Sequence, residues 1–240
     1  MTEPKLLFEL LLVRHAQSLG NAGLSIGDTA ADRQDTDLSE AGVRQAELLA
    51  DRLCTARLDA IYASGLLRAV HTASVVAAAQ PQNGAHNVCI LPLLTECDVG
   101  EGYTGRSIDA IRNRFPAAAF DPEWEDARTV LPNDETIDAA YNIARARRVM
   151  RILRARYQNG ERVLVVAHGV FNTIIFLEAL GIDTQRFDPD FANTSLTRMF
   201  FYQEGTGPWG FDARLAFAND FSHLRGEFPQ MCFERQEETK

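Results

Sequence analysis

The sequence predicts an α/β fold: a three-layer α/β/α sandwich with a mostly parallel central sheet, an inserted cap and a C-terminal edge hairpin. Short apolar runs alternate with helical patterns, as in sheets covered by helices on both sides. Those runs show little polar alternation, which marks strands buried on both faces. The last two β-rich runs are separated only by a turn-rich segment, which reads as a hairpin and not as a crossover. With 240 residues, 46% of them hydrophobic, residues 1–240 are read as a single domain with a full core.

The first strand is Leu6 to Val13. It is too short to span a bilayer, is interrupted by Glu9, and runs straight into Arg14-His15 without a small-residue cleavage site. Ser39 is a good N-cap for a helix that sets Ala46, Leu49, Ala50 and Leu53 on one face. Ala60 to Ala63 is the second strand. The next helix starts near Gly65, buries Leu66, Ala69, Val70 and Ala73, and leaves Arg68 and Thr72 on another face. Val88 to Ile90 is the third strand.

The stretch from Cys97 to Asn133 holds Pro116, Pro122 and Pro132 and no clear strand. It is read as a cap over the carboxyl edge of the sheet, inserted at about residues 97–135. A long helix then runs from about Thr136 to Tyr157, with Val149, Ile152 and Leu153 at core spacing. Arg145, Arg147, Arg148 and Arg151 fall on its solvated face. Val163 to Ala167 is the fourth strand, and the helix after His168 stops at Gly181, a natural C-terminal residue. Ser195 to Tyr202 and Ala213 to Ala218 form the hairpin, joined through Glu204 to Gly210.

A net charge of −9 excludes a surface that tracks nucleic-acid phosphates, yet two or three arginines can make one pocket locally positive. No membrane partner is expected. Cys54, Cys89, Cys97 and Cys232 lack Cys-x-x-Cys spacing, which fits reduced thiols in the cytoplasm and not a zinc site or disulfide framework.

The informative polar residues follow strands, at the edge where open α/β sheets bind ligands. Arg14-His15 follow the first strand, Ser64 and Arg68 the second, Glu96 the third, and His168-Gly169 the fourth. Two histidines, two arginines and a carboxylate suit a phosphate dianion: arginine binds it in a fork, and a histidine nitrogen can attack phosphorus.

Several segments also resemble a known family. Leu11 to Asn21, containing Arg14-His15-Ala16, is similar to the Arg-His-Gly signature of the histidine phosphatase superfamily, which includes the cofactor-dependent phosphoglycerate mutases. Leu38 to Ala46, Ser64 to Ala73, Leu94-Thr95-Glu96, Val166 to Gly169 and Asn193-Thr194-Ser195 resemble further family segments, in family order. Two departures stand out: Ala16 replaces the usual glycine, and Gly65 the usual proline.

The resemblance implies that His15 is the nucleophile, neutral so that one ring nitrogen can attack. His168, Arg14 and Arg68 would hold the phosphoryl oxygens. Glu96 would protonate the leaving oxygen and then deprotonate the attacking water; Asp98 and Glu101 are competing carboxylates nearby. Asn21 would add a phosphate hydrogen bond, Gly169 joins the substrate-binding set, and neither metal nor cofactor is required. His71, His86 and His223 are assigned structural or surface roles, although the segment around His223 resembles a C-terminal pattern of some family members.

A phosphatase acting on a small phosphorylated substrate is preferred over a mutase. The insert supplies Arg106, Arg112, Arg114 and Arg128 but no adjacent arginine pair to retain a bisphosphate. Tyr103, Phe115, Phe120 and Trp124 are offered as apolar contact area. A non-catalytic phosphate-binding module is the remaining alternative; it has no need of a proton donor such as Glu96.

Overall fold

The computed structural model describes residues 3–24, 29, 33–97, 103, 105–124, 139–183, 187–228 and 231. Seven strands form one sheet in the order β4-β3-β2-β5-β1-β6-β7: β1 Leu6–Arg14, β2 Ala60–Ala63, β3 Val88–Ile90, β4 Ala118–Phe120, β5 Glu161–Ala167, β6 Leu196–Tyr202 and β7 Ala213–Asp220. The first five are mutually parallel. β6 runs antiparallel to β1, and β7 antiparallel to β6, as the expected edge hairpin.

Helices α1 (Glu40–Leu53) and α2 (Leu67–Ala78) pack on one side of the sheet, and α4 (Ala139–Arg156) and α5 (Gly169–Leu180) on the other. Burial divides accordingly. Leu11 and Val13 of β1 join Leu49, Leu53, Val70 and Val76 in one apolar cluster. Leu10 and Leu12, pointing the other way along the same strand, join Val149, Leu153, Phe171 and Ile175 in a second. The connection that leaves β1 runs over one face of the sheet through α1, and the one that leaves β5 runs over the other through α5, so the chain departs from these two neighbouring strands on opposite faces. Such a change of face between adjacent parallel strands leaves a crevice at their carboxyl ends, where sheets of this kind hold ligands.

Local chemistry explains the helix ends. Ser39 caps α1 by accepting the Gly42 N–H at 3.0 Å. Gly181 ends α5 in the left-handed conformation at φ 66°.

Four expectations are corrected. The insert does contain a strand, β4, parallel to β3; Ala118 and Phe120 are buried beside β3, and three residues between Pro116 and Pro122 leave too little pattern to detect. A five-residue helix, α3 (Ile108–Arg112), precedes it. Phe115 and Phe120 belong to the core and not to a substrate surface, while Trp124 lies under the Arg148 guanidinium. Thr72 is fully buried because it faces the backbone after β1. Arg145 is also buried: its guanidinium lies 4.0 Å from the Phe171 ring centre, and it donates to Asn142 Oδ1 at 2.7 Å. The start of the long helix before Ala139, and residues 98–102, 104 and 125–135 of the proposed cap, lie outside the described residues.

Candidate active site

β1 and β5 run side by side in register, Arg14 opposite Ala167, so the residues that follow them meet. The His15 N–H donates to the Ala167 carbonyl at 2.9 Å, and the His15 and His168 rings lie 5.1 Å apart between centres. His15 is 3% exposed and His168 0%. Arg68, in the first turn of α2, reaches across so that its Nε lies 3.3 Å from His15 Nε2.

The tautomer of His15 follows from its neighbours. Nδ1 sits 2.7 Å from the Ala16 carbonyl, which can only accept, so Nδ1 carries the proton. Nε2 therefore keeps its lone pair, and the Arg68 Nε–H donates toward it. Burial, then the charges of Arg68 and Arg14, hold the His15 imidazole well below the ordinary histidine range. His168 is lowered in the same way by burial and by Arg68. Both of its ring nitrogens are buried without a protein partner.

Arg14 donates to the Phe191 carbonyl and leaves Nε without a protein partner. Its guanidinium packs against Gly169, where an added Cβ would lie 3.4 Å from Nε. Burial lowers the pKa of both Arg14 and Arg68, and nearby carboxylates, Glu96 among them, oppose that effect. Glu96 sits at the N-terminus of α5. Its carboxylate accepts from Phe171 N at 3.0 Å, Val170 N at 3.4 Å and Cys97 N at 2.9 Å. This satisfies donors that a helix start leaves open, a task the N-cap His168 side chain does not perform. A cleft of about 520 Å³ opens from here, lined by Arg14, Glu96 and Gly169 and walled by Ile143, Ile174 and Phe191.

The remaining site residues are placed differently. Asn21 is exposed, and its Oδ1 accepts the Ser18 N–H at 3.2 Å. Asp98 and Glu101 lie outside the described residues. His71 pairs with Asp37 at 2.8 Å. In the insert, Arg106 pairs with buried Asp35 at 2.8 Å, and Arg114 pairs with Asp37. Tyr103 donates to the same Asp35 at 2.5 Å.

The supporting residues have no catalytic signature in the sequence. Thr72 Oγ1 accepts the Ala16 N–H at 3.0 Å and donates to the Arg68 carbonyl at 2.7 Å, joining the loop after β1 to α2. Asn193 Nδ2 donates to the His15 carbonyl at 2.8 Å. Ala16 is buried and is not among the residues with positive φ, so the glycine-to-alanine departure is accommodated without backbone strain.

Known proteins align with this arrangement. Phosphoserine phosphatase 1 of Hydrogenobacter thermophilus is 29% identical over 180 residues, covering 75% of this chain and 79% of that protein. A metal-independent phosphoserine phosphatase of Arabidopsis thaliana is 32% identical over 175 residues, covering 70% and 67%. The crystal structure of a phosphoglycerate mutase from Bacillus anthracis superposes with a TM-score of 0.61 at 20% identity, over 92% of this chain and 96% of that one; it shows the shared fold. The family model for the histidine phosphatase superfamily (branch 1) matches residues 10–208. The chain belongs to the histidine phosphatase superfamily.

Proposed function

We propose that this protein hydrolyses small phosphomonoesters through a phosphohistidine on His15, without a metal ion. The observation that carries the reading is the His15 ring itself: buried, neutral, with Nδ1 hydrogen-bonded to the Ala16 carbonyl and Nε2 beside Arg68. Nε2 would attack phosphorus as the bond to the leaving oxygen breaks. Glu96, protonated, would give its proton to that oxygen. Its carboxylate would then take a proton from the water that attacks phosphohistidine, releasing phosphate and regenerating neutral His15. Arg14, Arg68 and His168 supply fixed charge and N–H donors for the phosphoryl oxygens, the service a metal ion performs elsewhere. Asn21 would add its amide N–H from the loop, and Gly169 lets Arg14 lie close to the start of α5.

Hydrolysis is favoured over mutase transfer by the charges around the cleft. A bisphosphate intermediate needs cations for its second phosphate. Apart from Arg14, the charged groups lining the cleft among the described residues are Glu96, Asp188 and Asp190, and Arg106 and Arg114 are occupied by carboxylates. The named relatives make phosphoserine the first substrate to try. The free thiols of Cys54, Cys89 and Cys97 suit the cytoplasm. Among the described residues no helix is long and apolar enough to cross a membrane.

The test is release of inorganic phosphate from phosphoserine and an aryl phosphate, with and without a chelator, for the wild type and His15→Ala. Chelator-resistant turnover that vanishes in His15→Ala, with an acid-labile phosphoenzyme on rapid quench, is expected. Undiminished turnover in His15→Ala would refute the mechanism, and transfer between glycerate positions in place of hydrolysis would favour a mutase.

A further inference from the structure

At the main-chain carbonyls of Arg14 and His15, two residues, Asn193 and Thr194, are linked to the backbone in a way that hydrolysis alone leaves unexplained. Thr194 has a left-handed φ of 55°, a conformation that β-branched residues rarely adopt. The turn it forms occupies the main chain of the nucleophile. Thr194 N donates to the Arg14 carbonyl at 3.0 Å with the His15 carbonyl at 3.4 Å, and Asn193 Nδ2 donates to the His15 carbonyl at 2.8 Å.

The Thr194 hydroxyl donates to the Asn193 carbonyl at 2.8 Å and meets His223 Nε2 at 3.1 Å. On the opposite side of that imidazole, Arg52 Nη1 lies 3.2 Å from Nδ1. A guanidinium can only donate, so Nδ1 accepts and the neutral ring carries its proton on Nε2. That proton points at Thr194. Arg52 is itself fixed by Asp220 at 2.6 Å. The charged groups facing the ring are Arg52 from α1 and Asp220 from β7; burial and Arg52 push the imidazole down to about 4. The direction of every hydrogen bond from Arg52 to the Asn193 carbonyl is therefore set.

We infer that His223 is a positioning residue: through Thr194 it locks the turn that holds the Arg14-His15 main chain in place beneath Arg68 and His168. The inference rests on the reading of His15 as nucleophile and concerns how that ring is held. Misplacing a reacting group by about 1 Å costs roughly a hundredfold in rate, so a lost lock should appear in kcat.

A merely structural His223, anchoring the segment that buries Leu224, makes a different prediction. His223→Gln places an amide N–H near the position of Nε2 and can reach Thr194. His223→Asn places an oxygen near Nδ1 and reaches only Arg52. Both fill space and remain polar. With an aryl phosphate, His223→Asn and Thr194→Val are expected to lower kcat by about ten- to a hundredfold with KM within about twofold, and His223→Gln to recover most of the loss. The double variant Thr194→Val/His223→Asn should lose no more than its worse parent.

Nitrogen NMR of the His15 ring gives a readout free of turnover: its Nδ1–H signal should exchange faster in His223→Asn than in wild type or His223→Gln. Equal behaviour of the Asn and Gln variants in both measurements, or losses that multiply in the double variant, would overturn the lock. Full activity in His15→Ala would instead refute the reading of His15 as nucleophile, while the NMR comparison still decides whether His223 places the ring.

Discussion

The Nε of Arg68 lies 3.3 Å from Nε2 of His15, so the nitrogen proposed to attack phosphorus already faces a positive donor. Burial, and after it the charge of Arg68, keeps the imidazole unprotonated, and in the proposed mechanism Arg68 would donate to a phosphoryl oxygen. It is held there by its Nη1, which donates to the Gln34 carbonyl at 3.1 Å. Substitution to lysine exchanges the planar fork for a point charge, and substitution to alanine removes it. We expect kcat with an aryl phosphate to fall by about a hundred- to a thousandfold in Arg68→Ala, with only partial recovery in Arg68→Lys. Full recovery by lysine would mean that charge alone matters at this position.

Glu96 offers a second test. Glu96→Gln keeps an oxygen for the Phe171 N–H but has no proton to give. Loss of a general acid costs about a hundred- to ten-thousandfold when the leaving oxygen is basic. By rapid quench, phosphoenzyme formation in the variant should be crippled with phosphoserine and much less affected with p-nitrophenyl phosphate, whose leaving group departs as an anion, while breakdown of the phosphoenzyme, common to both substrates, should slow equally. Equal losses in the phosphorylation step on both substrates would remove Glu96 from the general-acid role.

Gly42 couples folding to the site. A Cβ there would lie 1.9 Å from the Gln17 carbonyl oxygen, two residues beyond His15, and backbone cannot yield as a flexible side chain does. Gly42→Ala should therefore destabilise the fold by about 3 kcal/mol, at the upper end of ordinary overpacking costs. The denaturation midpoint would report this, together with a drop in kcat as α1 pushes the loop after β1. An unchanged midpoint would show that α1 can shift freely.

Protonation should destabilise the fold at moderately acid pH. His15, His168 and His223 all have lowered pKa values, with burial the largest cause. Above about pH 6.5 these histidines are neutral whether folded or unfolded, and there is no penalty. As pH falls below that, the unfolded chain takes up protons that the folded chain refuses. Stability then falls by about 1.4 kcal/mol per pH unit for each such histidine until its folded pKa is reached, which for His223 is about 4. Denaturant titrations from pH 7 to pH 5 should show this decline, with a shallower slope in His223→Gln. A flat profile would contradict the buried neutral state of these rings.

The fold was legible in the sequence where its signals are local. The apolar runs of β1, β2, β3 and β5, the Ser39 cap and the Gly181 stop each lie within one segment, and each stands in the structure as read. β4 escaped because three residues between prolines carry almost no periodicity. Arg145 escaped because helical spacing places a residue on a face without saying what covers that face. In this protein Phe171, from the following helix, covers it and gives the guanidinium a ring to lie against.

The sequence by itself determined which residues follow strand ends, and so which histidines, arginines and carboxylate compete for one edge of the sheet. It could not determine how they are held, because those contacts join residues far apart in the chain. The parallel register of β1 and β5 brings His15 beside His168. Glu96 closes the start of a helix more than seventy residues away. The turn at Thr194, tied to His223, grips the carbonyls of Arg14 and His15. Tertiary structure alone also decided the protonation of His15, since burial, the Ala16 carbonyl and the Arg68 guanidinium act together only once the chain has folded.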